Sequence, residues 1–205
     1  MPPTRPRHAR LHHHVVHLVA EALRRAEGWG EVAVEVGLDT TPASLRPDFR
    51  ATREETGEVT WADVSVASPF SSLLAPMAAD APLEPVAAET REGDKVRRYA
   101  RALPVGPPSH TFTPLVWEVY GRLGPASAAW LRKALGGPRQ ATARARLLSA
   151  ISVALWKSNA RAVADGYARC FGIPDPTGPG IAGPWRELEL GPELVSRGSS
   201  PQGEF

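Results

Sequence analysis

Leu11, Val15, Leu18 and Ala22, with Val19 beside them, recur three or four residues apart between Arg7 and Glu27, and Gly28 follows. That spacing predicts an amphipathic helix over 7–27 closed by the glycine. Val32, Val34 and Val36 alternate with polar neighbours, which predicts a strand from Glu31 to Leu38. Between Arg46 and Val66 two strand-forming runs flank the polar stretch Glu54 to Glu58, so this segment reads as a hairpin. Val59, Trp61 and Val64 to Val66 favour a pleated backbone, and Gly57 supplies the turn. Pro69 ends its second strand, and Phe70 to Ala79 is expected to form a short apolar helical turn. Pro85 to about Leu103 predicts a second helix, stopped by Pro104, Pro107 and Pro108. His110 to Val119 is a further strand whose Pro114 calls for an edge position or a late start. Gly124 to Leu135 is a short helix broken at Gly136 to Pro138. Gln140 to Phe171 is the longest helix, with Leu147, Leu148, Ile151 and Leu155 on its buried stripe.

The order of helix, three strands, helix, strand and further helices places the chain in the α/β class. With 205 residues it is long enough for one full core, expected over 7–171. The lead 1–6 and the Gly/Pro-rich tail 172–205 are expected to be disordered, apart from a contact through Trp185. Cys170 is the sole cysteine, which excludes an intrachain disulfide and a cysteine zinc framework. No apolar run approaches about 18 residues, and no signal-peptide core opens the chain. The expectation is a soluble intracellular protein without a membrane partner, nuclear if the source is eukaryotic.

The chemistry is concentrated in the hairpin, where each strand carries one carboxylate. If paired residue numbers sum to 111, the tip falls at Glu55 and Thr56 and Asp48 stands opposite Asp63. Their Cβ atoms then lie roughly 5 Å apart on one face. Two carboxylates that close repel unless a cation lies between them, so the pair suggests a metal site. Any odd sum keeps the pair on one face. An even sum separates them and leaves two solvated polar positions on a surface hairpin.

Charge is divided along the chain. Glu31 to Asp94 holds thirteen acids against four bases, whereas Val119 to Ala164 holds eight bases and no acid. The basic block suits a phosphate-neutralising surface, with an Arg-rich solvated helix face as the plain alternative. Candidate nucleic-acid contacts are Arg46, Arg98, Arg144, Arg146, Lys157 and Arg161. On the first helix, His12, His13 and His14 read as solvated or core-edge histidines. His13 and His17 are one turn apart, but no third ligand accompanies them at an identifiable spacing. Glu21 reads first as an ordinary surface acid, with an accessory acid leaning over the sheet's edge as the alternative.

The order of elements, with Pro47-Asp48 at the second strand and Asp63 on the third, resembles the PD-(D/E)xK nuclease superfamily. More closely, Arg46-Pro47-Asp48 and the second acid at Asp63 resemble the restriction-like endonuclease of site-specific non-LTR retrotransposons and related reverse-transcriptase-associated proteins. Arg7-His8, Asp63-Val64-Ser65-Val66, Lys95 followed by Tyr99, and Ser152 to Arg161 add to the resemblance, which spans roughly Arg7 to Tyr167. Two departures stand out: Ser65 occupies the position where the superfamily carries lysine, and Asp63 stands where many relatives have Glu. In the retroelement branch the lysine lies on the following helix, which makes Lys95 the candidate.

The resemblance implies a restriction-endonuclease-like αβββαβ core with extra C-terminal helices, acting as a metal-dependent DNA endonuclease. Asp48, Asp63 and the backbone carbonyl of Val64 would hold Mg²⁺ or Mn²⁺, polarising the scissile phosphate and lowering the pKa of a bound water. Lys95 would complete the catalytic set, with Ser65 and Tyr99 as accessory residues. No Tyr-x-Asp-Asp is present, so the chain would be a detached or truncated endonuclease end of a retroelement polyprotein, with DNA and an associated reverse transcriptase as partners. Two other classes stay open: a catalytically silent nucleic-acid-binding domain of the same fold, and an unrelated α/β interaction protein whose Pro-Asp is structural.

Overall fold

The computed structural model describes residues 7–35, 45–68, 86–100 and 109–171. The expectations for 1–6, the 70–79 turn, the 172–205 tail and the Trp185 contact lie outside these residues. In order the elements are α1 (Arg7–Arg24), β1 (Trp29–Val34), β2 (Phe49–Arg53), β3 (Val59–Ala67), α2 (Val86–Tyr99), β4 (His110–Glu118), α3 (Pro125–Ala134) and α4 (Ala141–Phe171), with a 3₁₀ turn at Pro138–Gln140 before α4. The protein is α/β, with a four-stranded mixed open sheet flanked by helices.

The strands run β1-β2-β3-β4 across the sheet, antiparallel for the first two pairings and parallel for β3 with β4. In the hairpin, Phe49 pairs with Ala62, Arg50 with Trp61, Ala51 with Thr60 and Thr52 with Val59, a register that sums to 111. Its turn closes through the Arg53 N–H on the Glu58 carbonyl at 2.9 Å, with Gly57 at a φ of 67°. β4 lies at a sheet edge, so Pro114 faces outward where no ladder donor is needed. The Ser127 hydroxyl covers that edge, accepting the Val116 N–H at 2.8 Å and lying 3.2 Å from the Pro114 carbonyl.

Two boundaries differ from the sequence expectation. β1 begins at Trp29, because its indole is buried and donates Nε1–H to the Ala134 carbonyl at 3.1 Å. α1 accordingly ends at Arg24, and Gly28 at a φ of 80° turns the chain into the strand. At the other end of β1, Glu35 takes a positive φ of 59° and gives its N–H to the Asp48 carbonyl at 2.7 Å.

Side-chain alternation divides the sheet. On one face Phe49, Ala51, Ala62, Val64, Leu115 and Trp117 join Val15, Val19 and Leu23 of α1 in the main core, which also takes in Leu131, Leu135, Leu147, Ile151 and Leu155. On the other, Ala67 and Val116 pack with Ala87 and Ala88 of α2, and Tyr99 stacks on Phe112 with ring centroids 4.3 Å apart. The chain divides into two compact units, Met1–Asn159 and Ala160–Phe205. The sheet and its core belong to the first, and the described part of the second is helical to Phe171. No helix of the described residues is long and apolar enough to cross a membrane.

α2 is tied to α3 by a carboxylate. Glu92, 3% exposed, accepts the Ala126 N–H at 3.1 Å and the Ser127 N–H at 2.8 Å, and also meets the Ser127 hydroxyl. It thereby caps the first turn of α3, where negative charge is favoured. The N-cap residue itself, Gly124, has no side chain, and a Cβ there would collide with the Glu92 carboxylate. Gly124→Ala is therefore expected to destabilise the fold by about 2 kcal/mol, as overpacked core positions do, measured by urea denaturation. An unchanged midpoint would show that Glu92 moves aside freely.

Candidate active site

The ladder between β2 and β3 stops at Phe49 and Ala62. One residue earlier the chain slips: Asp48 donates its N–H to the Ala62 carbonyl at 2.8 Å instead of pairing with Asp63. Pro47, before it, has no N–H to offer. Asp48 supplies a side-chain partner for the strand, its Oδ2 accepting the Val64 N–H at 2.6 Å. The Val64 carbonyl meets Lys95 Nζ at 3.5 Å and also interacts with His12.

Asp63 lies between Ala62 and Val64 in sequence and points to the other face, toward α2. There Lys95 Nζ lies 2.6 Å from Asp63 Oδ1, with the two side chains 9% and 13% exposed. The Asp48 carboxyl comes close enough to Asp63 to interact with it directly. Four groups from three elements therefore converge: Asp48 at the mouth of β2, Asp63 and the Val64 carbonyl on β3, and Lys95 on α2.

Burial controls the electrostatics. It pushes Asp63 above the usual carboxylate range, with Asp48 adding to the rise and Lys95 opposing it. It pushes Lys95 below the usual amine range, against the pull of Asp63. Tyr99 is pushed upward by burial and by its hydrogen bond and proximity to Asp63, so its hydroxyl keeps its proton at neutral pH. His12 moves the opposite way from most buried histidines. Its Nε2 lies 3.1 Å from Asp48 Oδ2, and that hydrogen bond raises the imidazole above its ordinary value despite partial burial.

The remaining candidates divide. Ser65, two residues beyond Asp63 on the same face, has its hydroxyl 3.5 Å from Arg91 Nε. Tyr99 touches the site through Asp63. Glu21 takes the surface-acid alternative and not the accessory one: it forms ion pairs with Arg24 and Arg25 on its own helix, at 3.5 and 2.7 Å. It lies nine residues beyond His12, about 13 Å further along the helix axis. Arg46, Arg98, Arg146 and Arg161 are exposed, and Lys157 is half-buried. Arg144 is half-buried and donates to the Leu135 carbonyl at 3.3 Å. Arg122 pairs with the fully buried Glu118 at 2.6 Å, so one base of the acid-free block is neutralised from just outside it.

His12 is the residue that sequence reasoning missed. One turn before the buried Val15 and Val16, it sits at the margin of the stripe facing the sheet, but its neighbours His13 and His14 carry the same chemistry. His13 instead lies 3.4 Å from Glu35, with its ring 4.2 Å from that of His17. Among the described residues no group of three or more His, Cys, Asp and Glu side chains is arranged to hold a metal ion. The sequence matches no protein-family model and no curated protein.

Removing Lys95 would leave the buried Asp63 carboxylate uncompensated. Lys95→Met is expected to cost about 3 kcal/mol of stability at pH 7. Because the folded state raises the Asp63 pKa, it binds that proton more tightly than the unfolded chain does, so the deficit should shrink as pH falls through the raised value. Urea denaturation at pH 7 and pH 5 measures this. A pH-independent deficit would mean that packing, and not charge, is what Lys95 contributes.

Proposed function

We propose that the chain is a metal-dependent DNA endonuclease with a restriction-endonuclease-like core. The observation that carries this reading is the grouping of two carboxylates, a lysine and a backbone carbonyl: Asp48 accepts the Val64 N–H, and Lys95 bridges Asp63 and the Val64 carbonyl. The element order α1-β1-β2-β3-α2-β4, with β3 and β4 parallel, supports it. The retroelement affiliation, with an associated reverse transcriptase as partner, is part of the same proposal and rests on the sequence motifs.

The donor set suits a hard divalent cation. Two carboxylates and a carbonyl freed from strand pairing are oxygen ligands of the kind Mg²⁺ and Mn²⁺ prefer. Asp48, Asp63 and Val64 would hold the ion, which when bound supplies Lewis acidity for phosphodiester hydrolysis. The chain's own residues do the rest. Lys95 places a desolvated ammonium beside the acids, where it would steady the charge that develops on the phosphate. Tyr99 stays protonated beside Asp63, where its hydroxyl is suited to steady that carboxylate. Arg91, exposed one turn before Lys95 on α2, presents a guanidinium suited to a neighbouring phosphate.

A second reading has an observation of its own. The Lys95 ammonium already neutralises Asp63 and reaches the Val64 carbonyl, as in a structural ion pair that needs no metal. A catalytically silent DNA-binding domain would look the same. Supercoiled-plasmid nicking with Mg²⁺ or Mn²⁺ separates the two. The endonuclease reading expects cleavage that is abolished in Asp48→Ala and Asp63→Ala and reduced about a hundredfold in Lys95→Ala, with DNA affinity nearly intact in all three. DNA binding without cleavage in the wild-type chain would establish the silent domain instead.

The basic residues generate a further expectation. Replacing Arg144, Arg146, Lys157 and Arg161 with Gln should flatten the dependence of log affinity on log salt by about 0.9 for each residue that contacts a phosphate. A slope identical to wild type in a fluorescence-anisotropy titration would show that none of these bases contacts a DNA phosphate.

A further inference from the structure

Two hydrogen bonds hold the Asp48 carboxylate through the same oxygen, while Asp63 stands beside it. Both described donors fall on Oδ2: the Val64 N–H at 2.6 Å and His12 Nε2 at 3.1 Å. An ionised carboxylate only accepts hydrogen bonds, so His12 must carry its proton on Nε2, and both the neutral and the charged imidazole satisfy that requirement. His12 therefore holds Asp48 from α1, while Lys95 touches Asp63 and the Val64 carbonyl from α2 on the opposite face.

The need for such a contact follows from where Asp48 sits. It lies just outside β2, after a proline and beyond the last ladder pair, so regular strand pairing does not fix its side chain. His12 is better anchored. It is half-exposed itself but sits one turn before Val15, Val16 and Val19, which are 0 to 2% exposed and lock α1 against the sheet.

We infer that His12 is a positioning residue for the divalent-cation site, holding Asp48 through Oδ2 so that Oδ1 alone is presented to the ion. The inference rests on the endonuclease reading and extends it to a residue of α1. It makes the Asp48 ligand monodentate and gives α1 a part in the site beyond covering the core. Hydrogen-bonding partners of metal-binding carboxylates commonly contribute ten- to a hundredfold in metal affinity.

The test uses the full chain and Mn²⁺ as probe, with affinity measured by electron paramagnetic resonance and without DNA. His12→Ala should weaken Mn²⁺ binding about tenfold, whereas His12→Gln, whose amide can donate from a similar position, should recover most of that loss. Circular dichroism and the Val64 amide resonance check that each variant keeps its fold. Plasmid nicking at saturating Mn²⁺ should then recover in His12→Ala more fully than in Asp48→Ala. Wild-type affinity in His12→Ala would overturn the positioning role and leave the endonuclease reading intact. Equal weakening in the Ala and Gln variants would also overturn it, because the imidazole would then act as more than a hydrogen-bond donor. If the wild-type chain bound no Mn²⁺, the endonuclease reading would fail, and the role of His12 with it.

Discussion

A strand that stops one residue early governs this molecule. Pro47 has no N–H and Asp48 spends its own on Ala62, so β3 runs past the end of its antiparallel neighbour with the backbone of Val64 still to be satisfied. Buried peptide groups need partners, and side chains provide them here. The Asp48 carboxylate takes the N–H, and the carbonyl faces Lys95 and His12. The clustering of acids and bases is thus a consequence of incomplete strand pairing, placed where the parallel partner β4 still supports β3 on its other edge.

Opposite charge stabilises that arrangement. Two adjacent carboxylates in a partly buried place would repel, and burial alone raises Asp63 toward its neutral form. The Lys95 ammonium counters this from α2, and His12 does so from α1. Both contacts come from helices locked to the sheet by ordinary apolar packing: Val15 and Val19 on one side, Ala87 and Ala88 on the other. The core therefore sets the geometry of the charged groups.

Much of this was legible in the chain. Val59, Trp61 and Gly57 define the hairpin and its turn, and the turn fixes the register that brings the two aspartates to one end of the hairpin. Lys95 is the only lysine before Lys133, and its spacing from Tyr99 places both on one side of α2. What remained hidden depends on contacts between distant segments. The slip at Asp48 is supported by Glu35, which gives its N–H to the Asp48 carbonyl from a left-handed conformation unmarked by any glycine. Three consecutive histidines differ by about 100° in direction around α1, and only a partner 36 residues away distinguishes His12 from the others. Glu21 illustrates the converse, since periodicity gives a residue's face and says nothing of which part of the sheet lies beneath it.

α2 carries Lys95 and Glu92 three residues apart, and the two are fastened at different places: one to an acid on β3, the other to the opening turn of α3. A rod pinned at two points can neither slide nor rotate without straining both pins. The height of the ammonium above the acids is therefore set partly by Ser127 and Gly124, residues more than sixty positions along the chain from Asp63. In mechanical terms α3 is a bracket, and drift in its first turn would be felt as misalignment of the ammonium one turn along the helix it holds.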